Sequence, residues 1–119
     1  MRYLMSAALL FWATAAAAET LDAEAIQSEL VGQHISWSDA QGVMLGDMVL
    51  SPGGLAHITI SVPQQETDDG HWTLEGDKLC TVWSTMRPGQ PKCYTLRQTA
   101  PGHFVTSGGN EFSLLEFSV

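Results

Sequence analysis

The chain has 119 residues, of which 13 are aspartate or glutamate and five are lysine or arginine, so its formal net charge is −8 at pH 7 with histidine neutral. Nucleic acids and anionic membrane surfaces attract proteins through basic faces, so this composition argues against both as partners. The length is that of one small domain.

The first residues have the pattern of a secretory signal. Met1-Arg2-Tyr3 precedes the apolar run 4–12, and four alanines follow at 15–18. A basic start, an apolar run too short to span a bilayer and small residues before a cleavage site are typical of a signal peptide. We expect residues 1–18 to be removed and residues 19–119 to form a single β-rich domain. The expected location is periplasmic or secreted, with no membrane insertion after cleavage.

One helix is predicted at the start of this domain. Apolar residues recur at close to helical spacing within residues 21–31, acidic residues occupy the first turn, and Gly32 follows as a stop signal. After Gly32 the pattern changes to short runs of β-forming residues separated by Gly, Pro and Asp-Gly turns. The predicted strands are 34–37, 43–50, 55–62, 71–75, 78–84, 92–98, 103–106 and 112–117.

The turns at 51–54, 75–77 and 107–110 have lengths suited to antiparallel hairpins. We therefore predict a mainly β fold, an antiparallel meander of about eight short strands that forms a small barrel or a curved sheet, with one short N-terminal helix. Within 55–62, alternation places Ala56, Ile58, Ile60 and Val62 on one face. A barrel of this size is only just wide enough for its own side chains, so we expect at most a shallow mouth.

The predicted core follows from this alternation, with one choice left open. A register shift of one residue would exchange Val82 and Trp83 between the two faces, and the pattern alone does not decide between them. The predicted core residues are Trp37, Ile58, Ile60, Trp72, Leu74, Val82 or Trp83, Tyr94, Leu96, Phe104, Leu114 and Phe117.

The two cysteines, Cys80 and Cys93, are predicted to form a disulfide. Their even number in an exported chain favours a structural bridge. A thiol-exchange site has Cys-x-x-Cys at a helix N-terminus, whereas here a Pro88-Gly89 turn separates two strand-like segments. A redox pair and a metal pair are the alternatives.

The four histidines, His34, His57, His71 and His103, show no metal-ligand spacing, although antiparallel strands can bring distant residues together. Met44 and Met48 suggest a soft copper site, but on a strand they share a face as packing residues.

The densest acidic stretch, 66–70, lacks the ligand periodicity of a calcium loop and is predicted to be a solvated linker with an Asp-Gly turn.

Part of the sequence resembles a known group of proteins. Gly70-His71-Trp72 is followed by Leu79-Cys80-Thr81-Val82-Trp83 and then by Cys93-Tyr94. This arrangement resembles small exported proteobacterial proteins grouped as domain of unknown function family 995, which share a Gly-x-Trp, Leu-Cys-x-x-Trp, Cys-Tyr pattern. The resemblance implies an exported location and a small β-rich shape, and it implies no activity and no catalytic residues.

Together these observations predict a non-enzymatic periplasmic β-domain that binds a small ligand or an envelope protein partner. The alternative is a metal-handling or weakly catalytic periplasmic protein that uses its histidines. The sequence contains no nucleophile elbow, zinc-protease motif or phosphate-binding glycine loop. No catalytic residue, metal site or cofactor is therefore predicted, and the ligand-binding residues are left unassigned.

Overall fold

The computed structural model describes residues 19–115. The predicted signal peptide at 1–18 and the predicted core residue Phe117 lie outside the described residues. Helix α1 spans Ala23–Leu30. It begins at Asp22, whose carboxylate accepts a hydrogen bond from the Ala25 N–H at 2.8 Å and so satisfies one free donor of the first turn.

Short strands make up most of the remaining described chain. They are β1 (His34–Ser38), β2 (Leu45–Leu50), β3 (Leu55–Val62), β4 (Glu66–Glu75), β5 (Lys78–Trp83), β6 (Lys92–Tyr94), β7 (Leu96–Ala100), β8 (His103–Thr106) and β9 (Glu111–Leu114).

The nine strands form one antiparallel sheet in the order β6-β5-β4-β3-β2-β1-β9-β8-β7. Every pair except β1–β9 joins neighbours along the chain, and β1–β9 pairing curls the sheet into a nearly closed barrel. The two edge strands, β6 and β7, are consecutive and separated only by Thr95. The predicted antiparallel, mainly β fold with one short helix is therefore confirmed.

The predicted strand at 92–98 is two strands, which explains why there are nine and not eight. Its first half pairs with β5 and its second half with β8. Between them, the Thr95 carbonyl accepts a hydrogen bond from the Ser107 N–H at 3.0 Å. The bend at Thr95 lets one length of chain join both edges of the sheet.

The two ends of the barrel differ. Helix α1 lies at the closed end together with the turns 51–54, 76–77 and 101–102, and the Ala23 N–H donates to the Asp77 carboxylate at 3.0 Å. Ile26 and Leu30 of the helix are fully buried. The loops 39–44, 63–65, 84–91 and 107–110 lie at the opposite, open end.

The described part of the predicted core is buried, except that Leu74 is only partly buried. In β5, Trp83 and not Val82 points into the core, which settles the register left open by the sequence. Val62 was predicted to share the face of Ile60 but is exposed, because the β2–β3 register shifts between Leu45 and Gly46. Further core residues are Leu21, Ile26, Leu30, Ile35, Met48, Leu50, Ala56, Leu79 and Phe112.

The prediction of a solvated linker at 66–70 is wrong, because this stretch is the first half of β4. Asp68 is buried, with 7% of its surface exposed. Its carboxylate accepts hydrogen bonds from three backbone N–H groups, those of Asp69, Thr85 and Met86. A buried charge that accepts several hydrogen bonds is tolerated, and the acidic composition of the stretch did not reveal these partners.

Two strand glycines allow the tight curvature of the sheet. A Cβ atom at Gly46 would collide with the backbone carbonyl of Thr59, and one at Gly70 would collide with that of Val82. Glycine in a strand is typical of such close approaches.

Candidate functional site

A cavity of about 410 Å³ lies inside the barrel at its open end. Its wall combines aromatic rings, methionines and a few polar groups. It is lined by Trp37, Asp39, Met44, Met48, Ile58, Thr81, Trp83, Met86, Arg87, Lys92, Tyr94, Asn110 and Phe112.

Strand alternation builds the apolar part of this wall. Trp37 on β1, Met48 on β2, Ile58 on β3 and Trp83 on β5 are all buried and all line the cavity. Alternate residues of a strand point to one face, so each strand sends its inward residues into the same space. The interior is therefore lined by bulky, polarizable side chains that nonetheless leave it incompletely filled.

Two aromatic rings support one side of the wall. Tyr94 on β6 and Phe112 on β9 pack edge to face with their ring centroids 6.0 Å apart. Burial raises the pKa of the Tyr94 phenol well above its ordinary value, and the hydrogen bond with Thr81 and the positive charge of Arg87 do not overcome this effect. Tyr94 therefore keeps its proton at neutral pH and can act as a neutral hydrogen-bonding group beside the cavity.

The rim of the cavity carries one acidic and two basic side chains. The Asp39 carboxylate accepts hydrogen bonds from the N–H groups of Val43 and Met44 at 2.8 and 3.2 Å, which shape its own loop. Arg87 and Lys92 form no salt bridge with any residue between 19 and 115. The basic groups at the rim are thus available to an external anion.

The pairing register of β5 and β6 explains why Lys92 lines the cavity. In the β5–β6 pair, Lys92 lies opposite Thr81, and Tyr94 follows two residues later on the same face. Thr81 and Tyr94 are both buried. Lys92 is therefore on the inner face of the barrel, where it is half-buried.

The loop 84–91 carries Met86 and Arg87 and is held in place by Asp68. The Asp68 carboxylate accepts from the Thr85 N–H at 2.9 Å and from the Met86 N–H at 2.8 Å. Burial on its own would raise the pKa of Asp68, but the hydrogen bonds from Met86, Thr85 and Asp69 together lower it below the ordinary 3.8. Asp68 is therefore charged at neutral pH and fixes the start of this loop.

Trp37 contains a buried polar atom without a partner. Its indole Nε1 has no hydrogen-bond acceptor among the described residues. Buried donors are nearly always satisfied in native proteins, and an unmade bond costs about 1–3 kcal/mol. The cavity wall is therefore less completely satisfied than an ordinary core.

The predicted disulfide is present in the structure. Cys80 and Cys93 are directly opposite in the β5–β6 pair, and their sulfur atoms are 2.07 Å apart. The bridge is one residue along from the Thr81–Lys92 pair, so it ties β6, which carries Lys92 and Tyr94, to β5, which carries Thr81. Glu75 lies near both sulfurs, with its Oε2 3.5 Å from that of Cys80.

The histidines do not converge. His57 Nδ1 lies 2.6 Å from the Asp69 carboxylate, and His34 Nε2 lies 3.8 Å from that of Asp47. His103 instead contacts the Ser113 hydroxyl at 3.0 Å, and His71 is exposed opposite Leu55.

Within residues 19–115, ligand atoms of three or more His, Cys, Asp or Glu residues come within 4.8 Å of one another only at Glu75, Cys80 and Cys93. This group contains no histidine, and its sulfurs are joined to each other. The histidine-based alternative therefore lacks the convergence on which it depended.

Sequence reasoning assigned Met44 and Met48 to packing and did not assign Arg87, Lys92 or Asp68 to a site. Met44 and Met48 do share the interior, but they line open volume. The sequence could have placed Lys92 on the inner face of the barrel. A residue two positions before a predicted core tyrosine belongs to the same strand face as that tyrosine. Arg87 and Asp68 depend on loop geometry that local sequence does not show.

The chain matches no family model, no curated protein and no solved structure. Within the described part of the chain, no helix is both long and apolar enough to cross a membrane.

Proposed function

We propose that this protein is a non-enzymatic binding protein that holds a small, mostly apolar molecule in the cavity at the open end of its barrel. The observation that carries the proposal is the cavity of about 410 Å³, which is within the roughly 300–1,000 Å³ of typical small-molecule sites. Its aromatic and methionine wall, with a few polar groups at the rim, has the composition of such sites.

The unfilled volume itself supports a role in binding. At the closed end, Ile26 and Leu30 of the helix are fully buried in the interior. At the open end, the same barrel leaves space that larger side chains would fill. An open cleft lined mainly by apolar side chains is typical of small-molecule sites rather than of a packed core.

The chemistry of the wall supports binding more than catalysis. Asp39 is engaged by two backbone N–H groups, and burial keeps the Tyr94 phenol protonated. A neutral phenol and an engaged carboxylate suit ligand positioning.

We place this activity in the periplasm or outside the cell, consistent with the signal pattern at 1–18 and with the disulfide, since such bridges persist in oxidising compartments. Membership of family 995 is part of the same proposal. Intact mass of protein recovered from the periplasm should lack residues 1–18. Recovery of the full-length mass from that fraction would contradict export with cleavage.

Binding can be tested with N-phenylnaphthylamine, an uncharged dye whose emission rises in apolar sites. The purified mature protein should enhance its fluorescence in a saturable way. Met44→Trp places a larger ring at the partly buried rim of the cavity and should abolish the enhancement. Leu55→Trp is the matched control, because Leu55 is 60% exposed near the closed end, and this variant should bind as the parent does.

Two results would contradict the proposed function. The first is the absence of saturable enhancement with the folded parent protein. The second is equal binding by the parent and by a Met44→Trp variant whose near-ultraviolet circular dichroism shows native packing, because the dye would then bind elsewhere.

A further inference from the structure

We propose that the natural ligand is an amphiphile with a negatively charged head group, held at the rim of the cavity by Arg87 and Lys92. This inference rests on the proposed function and adds to it the chemical class of the ligand. Its apolar part would occupy the aromatic and methionine wall, and its anionic group would face the two cations.

The distribution of basic residues is the first argument. The chain has only five lysine and arginine residues against 13 acidic ones. All but Arg2 belong to the described residues, and two of these four, Arg87 and Lys92, line the same cavity. In so acidic a protein, two cations at one opening create a local site for an anion.

The environment of Lys92 also favours an anionic ligand. Its side chain is half-buried on the inner face of β6, across from buried Thr81. It has no carboxylate partner within salt-bridge distance among residues 19–115. A partly desolvated cation without a partner is unfavourable, and an anionic ligand would supply the missing charge.

Donors near the rim are not all used within the protein. Asp39, the acidic group at the rim, accepts from the N–H groups of Val43 and Met44 and forms no salt bridge with either cation. The Trp37 indole N–H has no acceptor among residues 19–115. Together with the two cations, it leaves donors at the site that favour a ligand with acceptor oxygens.

The backbone before Arg87 is held in place without a ligand. It follows Thr85 and Met86, whose N–H groups are bound by the buried Asp68 carboxylate. Its backbone has φ 44°, in the left-handed region that arginine rarely adopts. A preorganised loop lowers the entropic cost of ligand binding.

The test compares two dyes that differ only in a sulfonate group, anilinonaphthalene sulfonate and uncharged N-phenylnaphthylamine. The double variant Arg87→Gln/Lys92→Gln should weaken binding of the sulfonate roughly tenfold or more, because charge-assisted hydrogen bonds are lost. Its affinity for the uncharged dye should change by no more than about twofold, since the apolar wall is intact. Lys78→Gln/Arg97→Gln removes two cations outside the cavity and should leave both affinities as in the parent.

Displacement of the bound sulfonate dye identifies the head group. Octanoate and octyl phosphate should both displace it at concentrations at least roughly tenfold lower than octylamine, whose tail is the same and whose charge is opposite. The ratio of octanoate to octyl phosphate then distinguishes a carboxylate ligand from a phosphate ligand.

Failure of this inference is distinguishable from failure of the proposed function. If the double variant loses both dyes equally, or if octylamine competes as well as octanoate, the anionic head group is wrong while cavity binding stands. If the parent binds neither dye, both proposals are wrong. Near-ultraviolet circular dichroism of each variant excludes dye binding by a loosened fold.

Discussion

The closed and open ends of the barrel each contain a buried tryptophan, and the two indole N–H groups differ in their hydrogen bonding. At the closed end, the Trp72 indole N–H donates to the Ser51 carbonyl at 2.8 Å. At the open end, the Trp37 indole N–H has no partner among residues 19–115, and its ring lines the cavity. The two tryptophans therefore differ in whether their indole is satisfied within the core, and variants at the two positions test whether stability and the proposed binding depend on opposite ends of one small sheet.

The largest expected effect tests the stabilising role of the closed end. Trp72 is 7% exposed, so Trp72→Ala should lower the free energy of unfolding by about 3–5 kcal/mol, through lost burial and a new cavity. Urea unfolding measures this change. A loss below about 1 kcal/mol would show that Trp72 contributes little to the core and would remove the contrast between the ends.

Phenylalanine variants measure the contribution of each tryptophan's indole N–H to stability. Trp72→Phe deletes a made hydrogen bond, whereas Trp37→Phe deletes only an unpartnered donor. The first should therefore be the more destabilising by about 1 kcal/mol. Equal losses in urea unfolding would indicate that Trp37 has an acceptor in solution.

The next effect concerns the bridge between β5 and β6. Replacing both Cys80 and Cys93 with Ala should cost about 3 kcal/mol, because a crosslink across a sequence separation of 13 restricts the unfolded chain. The melting temperature should fall, and dye binding should persist at low temperature, where the folded state dominates. Unchanged stability, or two free thiols on titration of the native protein, would contradict a purely stabilising bridge.

An effect no larger than that of the bridge tests the support of the open end. Asp68→Asn weakens the acceptor for the Thr85 and Met86 N–H groups and should cost about 1–3 kcal/mol. It should also weaken binding of the sulfonate dye, since the loop that carries Arg87 loses its anchor.

The pH dependence of stability gives a second measurement on Asp68. Hydrogen bonds hold its folded pKa below 3.8, so its contribution is complete above that value and is lost as the pH falls through the lower folded pKa. The parent should therefore lose stability relative to Asp68→Asn below about pH 3.8. Parallel stability curves for the two proteins across that range would contradict the assigned role.

Local patterns predicted much of the fold. The turns at 51–54 and 107–110, the strands Leu55–Val62 and His103–Thr106, and the helix before Gly32 all follow from short-range periodicity and turn chemistry. The Cys80–Cys93 pairing followed from the even count of two cysteines in an exported chain, together with their strand-turn-strand context. These features depend on residues close in sequence, so a single sequence contains the information.

Features that depend on residues distant in sequence appear only in the folded structure. The inward choice of Trp83 over Val82 required the register of β5 against β4 and β6. The burial of Asp68 required backbone donors 17 and 18 residues further along the chain. The cavity required the closure of the sheet by β1 and β9, which brings Trp37 and Phe112 to the same interior as Lys92. Local sequence therefore predicts most of the elements and the bridge, whereas the space between the elements, and the charges around it, exist only once the sheet has closed.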